Sequence, residues 1–217
     1  MKQEIQQGVA QLDPGVVCPE YVLENLSSYL QLLERWNKAY NLTSVRDPRQ
    51  MVVRHILDSL AIANYLGDAR RLIDVGTGAG LPGIPLALLY PEREFHLLDS
   101  NGKKTRFLFQ VKTELGLNNV TVLHRRAQAH EDTQGYDCVI SRAFASLNDM
   151  VDSCMHLCAV DGRFLAMKGI YPEQELAALG TRCQLVAAHK LQVPGLAEER
   201  HLIELRPGQG TYGEHSG

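Results

Sequence analysis

No window of the 217-residue chain approaches the ~18 consecutive apolar residues of a membrane-spanning helix, which excludes an integral helical membrane protein. The opening Met-Lys-Gln-Glu-Ile-Gln-Gln lacks the apolar core of a secretory signal. The expectation is a soluble, cytoplasmic protein with no membrane partner. Five cysteines (Cys18, Cys138, Cys154, Cys158 and Cys183) form an odd set without a C-x-x-C pair, which argues against a disulfide framework. Cys154 and Cys158 stand four apart in a helical pattern. No histidine or further cysteine completes a site around them, so buried thiols and no metal are expected. There is one tryptophan, Trp36, and no internal repeat. A basic surplus is missing too: the net charge of −3 counts mildly against a dedicated nucleic-acid binder, unless the basic residues cluster on one face.

What is present is an ordinary globular composition, 45% hydrophobic and 22% charged, long enough for one domain with an extension or for two small domains. Residues 1–17 are polar with a Pro14-Gly15 break, which predicts a short helix and a loop. From Pro19, apolar residues recur at Val22, Leu26, Tyr29, Leu30, Leu33, Trp36 and Tyr40, the steps of three and four of an amphipathic helix. Trp36 lies on that stripe and is assigned to packing. Asn41 and Pro48 bracket a break. A second helix carries Met51, Val52, Ile56, Leu57, Leu60 and Ala61 and ends at Gly67. His55 and Asp58, three apart on it, are expected as a hydrogen-bonded structural pair. Residues 1–67 thus read as a helical extension packed on a core of residues 68–206, with 207–217 a Gly-rich flexible tail.

From residue 71 short apolar runs alternate with helical segments, the pattern of a parallel α/β sheet. Strands are predicted near 71–76, 94–99, 119–124, 136–141 and 162–168, and helices near 82–90, 102–115, 147–158 and 172–179. Two last runs, 183–193 and 200–206, flank Pro194-Gly195 and predict an antiparallel hairpin.

The chain is organised around residues 72–83, Leu-Ile-Asp-Val-Gly-Thr-Gly-Ala-Gly-Leu-Pro-Gly: a strand, a glycine-rich turn and a proline-opened helix. Asp99, about twenty residues beyond the glycines, can take both ribose hydroxyls of an adenosine, which suits NAD and S-adenosylmethionine alike. Gly78-x-Gly80-x-x-Gly83 matches the dinucleotide fingerprint, but the phase is wrong for it. Asp74 precedes the first glycine, Gly76, and the repeat is Asp-x-Gly-x-Gly-x-Gly. An anion there would repel a pyrophosphate and could orient the ammonium of a methionine moiety. Seven strands closed by an antiparallel pair resemble the class I S-adenosylmethionine-dependent methyltransferase sheet, a doubly wound and mostly parallel α/β fold. No residues remain for the substrate domain that an NAD enzyme needs.

The fourth strand and its end, residues 136–144, face the methyl group in that fold. They lack the Asp/Asn-Pro-Pro-Tyr/Phe pattern of amine methylation, and Cys138 lies inside the strand, away from a nucleophile's position. An acceptor that is already nucleophilic is left. Guanine N7, an in-plane lone pair without a proton, qualifies and needs no general base, as do several small molecules. No catalytic residue is assigned. Arg142 would block N7 if it clamped the guanine, so a cofactor carboxylate or an RNA phosphate suits it better.

Four passages then carry a family resemblance: Trp36-Asn37-Lys38-x-x-Asn41-Leu42-Thr43, Arg54-His55-x-x-Asp58-Ser59-Leu60, the glycine turn from Asp74 to Gly83, and Ser141-Arg142-Ala143-Phe144-Ala145. Lys168-Gly169 and Glu199-Arg200-His201-Leu202 also fit. Over about residues 20–206 the chain resembles the RsmG (GidB) family of bacterial small-subunit rRNA guanine-N7 methyltransferases. The resemblance implies N7 methylation of guanine 527 in 16S rRNA. It implies cofactor contacts at Gly76, Leu81, Ala127, Gln128 and Arg142, to which the glycine turn adds Gly78 and the ribose argument adds Asp99. Many members carry an acid where this chain has Gln128, whose carbonyl can still accept from an adenine amine. Lys103, Arg126, Lys168 and Arg200 fall at the ligand edge of the sheet and are the candidate RNA contacts, beside Lys104, Arg106 and Arg125. N7 faces the A-form major groove, closed to protein, so the target must be unpaired or flipped out. At net charge −3 a small ribosomal subunit or an assembly intermediate is the expected partner, met by a monomer. A methyltransferase of another substrate and a non-catalytic RNA-binding assembly factor stay open.

Overall fold

The computed structural model describes residues 1–12 and 16–208. The Pro14-Gly15 break and residues 209–217 of the expected tail lie outside the described residues. Helices α1 (Lys2–Val9), α2 (Glu20–Tyr40), α3 (Pro48–Met51) and α4 (Asp58–Leu60) precede strand β1 (Arg71–Val75). Then follow α5 (Gly83–Leu89), β2 (Glu94–Asp99), α6 (Gly102–Glu114), β3 (Val120–His124), β4 (Tyr136–Ser141), α7 (Leu147–Cys154), β5 (Cys158–Lys168), α8 (Glu173–Ala178), β6 (Cys183–Leu191) and β7 (Arg200–Pro207). The seven strands form one sheet in the order β3-β2-β1-β4-β5-β7-β6. All neighbours are parallel except β7, which runs antiparallel to β5 and β6. This is the doubly wound, hairpin-closed sheet order that the class I methyltransferase resemblance predicts, with the N-terminal helices packed against it.

The order reverses between β1 and β4, so the loops after them diverge and open a crevice at the carboxyl edge, where such sheets bind ligands. The N-terminal helices have no core of their own. Leu26, Leu30, Leu33 and Ile56 share one buried cluster with Leu72 and Phe95 of the sheet and Phe107 of α6. Tyr29 is fully buried and its hydroxyl donates to the Ala79 carbonyl at 2.8 Å, tying α2 to the glycine turn. Trp36 is half-buried against Phe107 and Tyr40, at ring separations of 5.7 and 5.2 Å, in the packing role its stripe predicts.

Four expectations need correction. The second helix is not regular: Val52–Leu57 is a π-helix between α3 and α4, and Ala63–Leu66 is a 3-10 turn. The wide turn brings Arg54, His55 and Asp58 to one wall, an arrangement common where helices serve a site. His55 and Asp58 are not bonded to each other, because each is drawn to a partner outside the helix. Cys154 ends α7 while Cys158 opens β5, which begins four residues earlier than predicted, so these thiols do not share a helical face. β7 also continues through Pro207, the first residue assigned to the tail. Among the described residues no helix is long and apolar enough to cross a membrane, and no group of three or more His, Cys, Asp or Glu could hold a metal.

Candidate functional site

Three adjoining clefts run along the carboxyl edge of the sheet. The first, about 450 Å³, lies over the ends of β1, β2 and β3 and is lined by Gly76, Asp99, Ser100, Lys104, Arg126, Ala127 and Gln128, among others. The second, about 180 Å³, lies over the glycine turn and is lined by Leu42, Thr43, Gly76, Thr77, Gly78, Ala79, Leu81, Arg142 and Ala143. The third, about 410 Å³, is enclosed by Thr43–Val45, Arg54, His55, Asp58, Arg142, Met167, Lys168, Gly169 and Arg200. Gly76 and Ala143 belong to the first two clefts, and Thr43 and Arg142 to the last two. The three therefore make one trough.

The glycine turn is held from both sides by carboxylates. Asp74, 1% exposed, accepts from the Thr77 hydroxyl at 2.6 Å and from the Gly83 N–H at 2.8 Å, both through Oδ2. Its other oxygen is buried without a partner. Burial raises its pKa to about 6, partly offset by those two hydrogen bonds. Asp74 lines none of the three clefts, and its bonds to Thr77 and Gly83 hold the loop in shape, so orienting a ligand ammonium from there would run through the loop or a water. Asp99 accepts the Gly78 N–H through Oδ2 and the Asn101 N–H through Oδ1, at 2.9 and 2.8 Å. A carboxylate offers about four lone-pair sites, which leaves room for the two hydroxyls of a ribose. At Gly76 a side chain is excluded twice over: φ is +68°, and an added Cβ would lie 2.8 Å from the Ala143 Cβ.

Gln128 follows Ala127 on a short 3-10 turn beyond β3. Its Nε2 donates to Ser153 Oγ at 2.9 Å, which leaves its carbonyl oxygen as the group able to accept from an adenine amine. The residues present fit an adenosine in the first cleft and a small amino-acid moiety in the second.

The third cleft is of a different character. Asn37, buried at the end of α2, accepts the Thr43 N–H at 2.9 Å and donates to the Val45 carbonyl at 3.3 Å, folding residues 43–45 over the cleft. Thr43 Oγ1 lies 3.0 Å from His55 Nε2. Burial first, and then the Arg142 charge, lower the His55 pKa to about 4, which keeps the imidazole neutral near pH 7. Asp58, 2% exposed, receives Arg142 at 2.9 Å and Arg200 at 3.0 Å. Lys168 bonds the Ala145 carbonyl at 3.1 Å and pairs with Glu175 at 2.9 Å. Arg54 pairs with Glu198 at 2.5 Å.

Every predicted cofactor residue lines the first or second cleft. The predicted RNA contacts separate: Lys168 and Arg200 line the third cleft, Arg126 lines the first, and exposed Lys103 lines none of the three. Lys104, its neighbour, lines the first cleft and lies 3.7 Å from Asp99. Sequence reasoning missed Asp58 as the centre of an ion-pair cluster and gave Thr43 and Arg54 no role. The signal was there, since the passages quoted for the resemblance supply nine of the third cleft's walls and supports, from Asn37 and Thr43 to Lys168, Gly169 and Arg200.

Residues 22–203 match the family model described as rRNA small subunit methyltransferase G, GidB. A Cellvibrio japonicus protein named ribosomal RNA small subunit methyltransferase G is 51% identical over 211 residues, covering 95% of each chain. Among solved structures, a ribosomal protein L11 methylase from Lactobacillus delbrueckii subsp. bulgaricus superposes with a TM-score of 0.55 at 18% identity, covering 70% of this chain and 77% of that one. M. jannaschii TYW2 in complex with AdoMet superposes with a TM-score of 0.52 at 14% identity, covering 69% and 76%. At these identities the structural likeness concerns the fold alone. The sequence match over most of its length decides the family: the chain belongs to the rRNA small subunit methyltransferase G family.

Proposed function

We propose that the trough binds S-adenosylmethionine across its first two clefts and a guanine of 16S rRNA in its third, and that the product is 7-methylguanine at position 527. The observation that carries this reading is the continuity of the trough at Gly76, Ala143, Thr43 and Arg142. It places an adenosine-sized, acid-bearing cleft and a cation-lined cleft on either side of a bare glycine turn. Bound there, the cofactor supplies a methyl group on a sulfonium, electrophilic without further activation. Asp99 holds the ribose, Gly76 and Gly78 let the ligand lie against the backbone, and Arg142 meets the methionine carboxylate.

The third cleft supports N7 by the chemistry it offers. Of its titratable side chains, Asp58 is engaged by two guanidiniums and His55 is a neutral imidazole facing Thr43. Neither is placed as an available general base, and N7 needs none because it carries no proton. What the protein contributes is alignment, which is worth several kcal/mol for a well-oriented pair. Lys168 and Arg200 bind the phosphates that flank an extruded guanosine, and the weakly acidic chain relies on an assembled or partly assembled small subunit for the rest of its affinity.

Deleting the gene and mapping N7-methylguanine in 16S rRNA by borohydride–aniline cleavage tests the reading. One such site is expected to vanish and to return when purified protein and S-adenosylmethionine are added to subunits from the deletion strain. Persistence of every N7 mark refutes the acceptor assignment. Loss of function with every mark intact would favour a non-catalytic assembly factor.

A further inference from the structure

Asp58 is almost completely buried, yet two guanidiniums end on it, one at each carboxylate oxygen. Oδ2 accepts from Arg142 Nη1 at 2.9 Å, and Oδ1 accepts from Arg200 Nε at 3.0 Å. The three residues come from distant parts of the chain: Asp58 opens α4, Arg142 follows β4, and Arg200 begins β7. Each arginine is also pinned by a carbonyl. Arg142 Nη1 donates to Arg54 at 3.1 Å, and Arg200 Nη1 donates to Glu199 at 2.8 Å.

A guanidinium carries five N–H donors in a rigid fork. These bonds fix the fork of each arginine while using only its Nη1 group, together with Nε in Arg200, so the Nη2 end of each remains for another anion. Arg142 stands on the wall shared by the second and third clefts, whereas Arg200 lines the third alone. Left to themselves, two cations converging on one cleft would repel. One buried carboxylate between them offsets that repulsion, and its immobility fixes both geometries at once.

Building on the trough reading above, we propose that Asp58 is a positioning residue common to both substrates: it fixes Arg142 against the carboxylate of the cofactor and Arg200 against a phosphate of the RNA. Asp58 touches neither substrate. Its influence reaches each of them through a different arginine.

Two double-mutant cycles test this. The first measures binding of small ribosomal subunits from a strain lacking the gene, without cofactor. Asp58→Asn is expected to weaken binding about tenfold and to lower the salt slope by about one, the signature of one lost phosphate contact. In an Arg200→Ala background the same change is expected to cost less than about twofold. The second cycle measures S-adenosylhomocysteine by calorimetry, with the same non-additivity expected between Asp58→Asn and Arg142→Ala. A merely structural Asp58 would give additive losses in both cycles, and that outcome overturns the proposal. Should Asp58→Asn fail to fold, Asp58→Glu keeps the charge but displaces both forks. It is expected to weaken subunit binding about fivefold; unchanged binding refutes the positioning role. If the wild-type protein does not bind these subunits at all, the trough reading fails, a result distinct from failure of the Asp58 assignment.

Discussion

The two ends of the trough are built by different means. The first cleft is made by the turns that follow β1, β2 and β3, with Ala143 and Phe144 after β4 closing its wall. Its grip is largely backbone, fixed by glycine geometry and by two carboxylates that hold amide groups. The third cleft draws on residues 43–45, 54–58, 142, 167–169 and 200, scattered over most of the chain, and its grip is made of side chains around one buried acid. A site held by backbone is rigid but intolerant of any added atom. A site held by an ion-pair cluster can lose a cation at its rim and keep its shape, but losing the buried acid at its centre frees the forks that the acid fixes.

The largest break in this comparison is expected at Gly76. An alanine there must adopt φ +68° and meet the Ala143 Cβ at 2.8 Å. The left-handed conformation alone costs about 1–2 kcal/mol, and the overlap adds to it. Gly76→Ala is expected to weaken S-adenosylhomocysteine binding about 100-fold by calorimetry, while cofactor-free subunit binding changes less than about threefold. Equal losses at both ends would mean that the two clefts are not separable. Asp99→Ala follows in size. It removes the ribose acceptor together with the Gly78 and Asn101 hydrogen bonds, and a charged hydrogen bond is worth about 1.5–3 kcal/mol. A loss of cofactor affinity of at least about tenfold, and short of that at Gly76, is expected in a folded variant; unchanged affinity would show that the ribose lies elsewhere.

At the other end, Lys168→Ala is expected to raise KM for the subunit about fivefold with little change in kcat, because phosphate contacts contribute to binding without touching the reacting atoms. Its internal pair with Glu175 makes the effect smaller than that of a free lysine. A fall in kcat with constant KM would move Lys168 from the RNA track into the alignment of the guanine.

The same contrast explains how much of the molecule could be read beforehand. β1, β2, β4 and the glycine turn are local patterns, and their positions in the structure agree with the sequence reading to within a residue. The hairpin at Pro194-Gly195 was equally legible, because turn chemistry is local. The third cleft was not legible from spacing, since nothing in residues 54–58 announces that Arg142 and Arg200 will converge on Asp58. The 3.6-residue rhythm predicted a regular helix there, and the π turn that aims Arg54, His55 and Asp58 at one wall left no periodic trace. Only the family resemblance flagged these passages, without saying that they meet.

The smallest expected effect sets the two ends against each other through pH. Asp74 beneath the glycine turn has a folded pKa raised from 3.8 to about 6. Its contribution to stability is therefore fully present below about pH 4 and is lost as pH rises through 6. His55 in the third cleft has a folded pKa lowered from 6.5 to about 4. Its contribution is present above about pH 6.5 and is lost as pH falls toward 4, because the buried imidazole must then take a charge. One pKa unit corresponds to about 1.4 kcal/mol, so between pH 7.5 and 5.5 each group changes stability by on the order of 1 kcal/mol, in opposite senses. Across that range the contributions of these two groups therefore largely offset each other. Replacing either group exposes the other: in urea melts, Asp74→Asn is expected to lose stability on acidification, and His55→Gln to gain it. Parallel pH profiles for the two variants would show that the glycine turn and the third cleft do not titrate against each other.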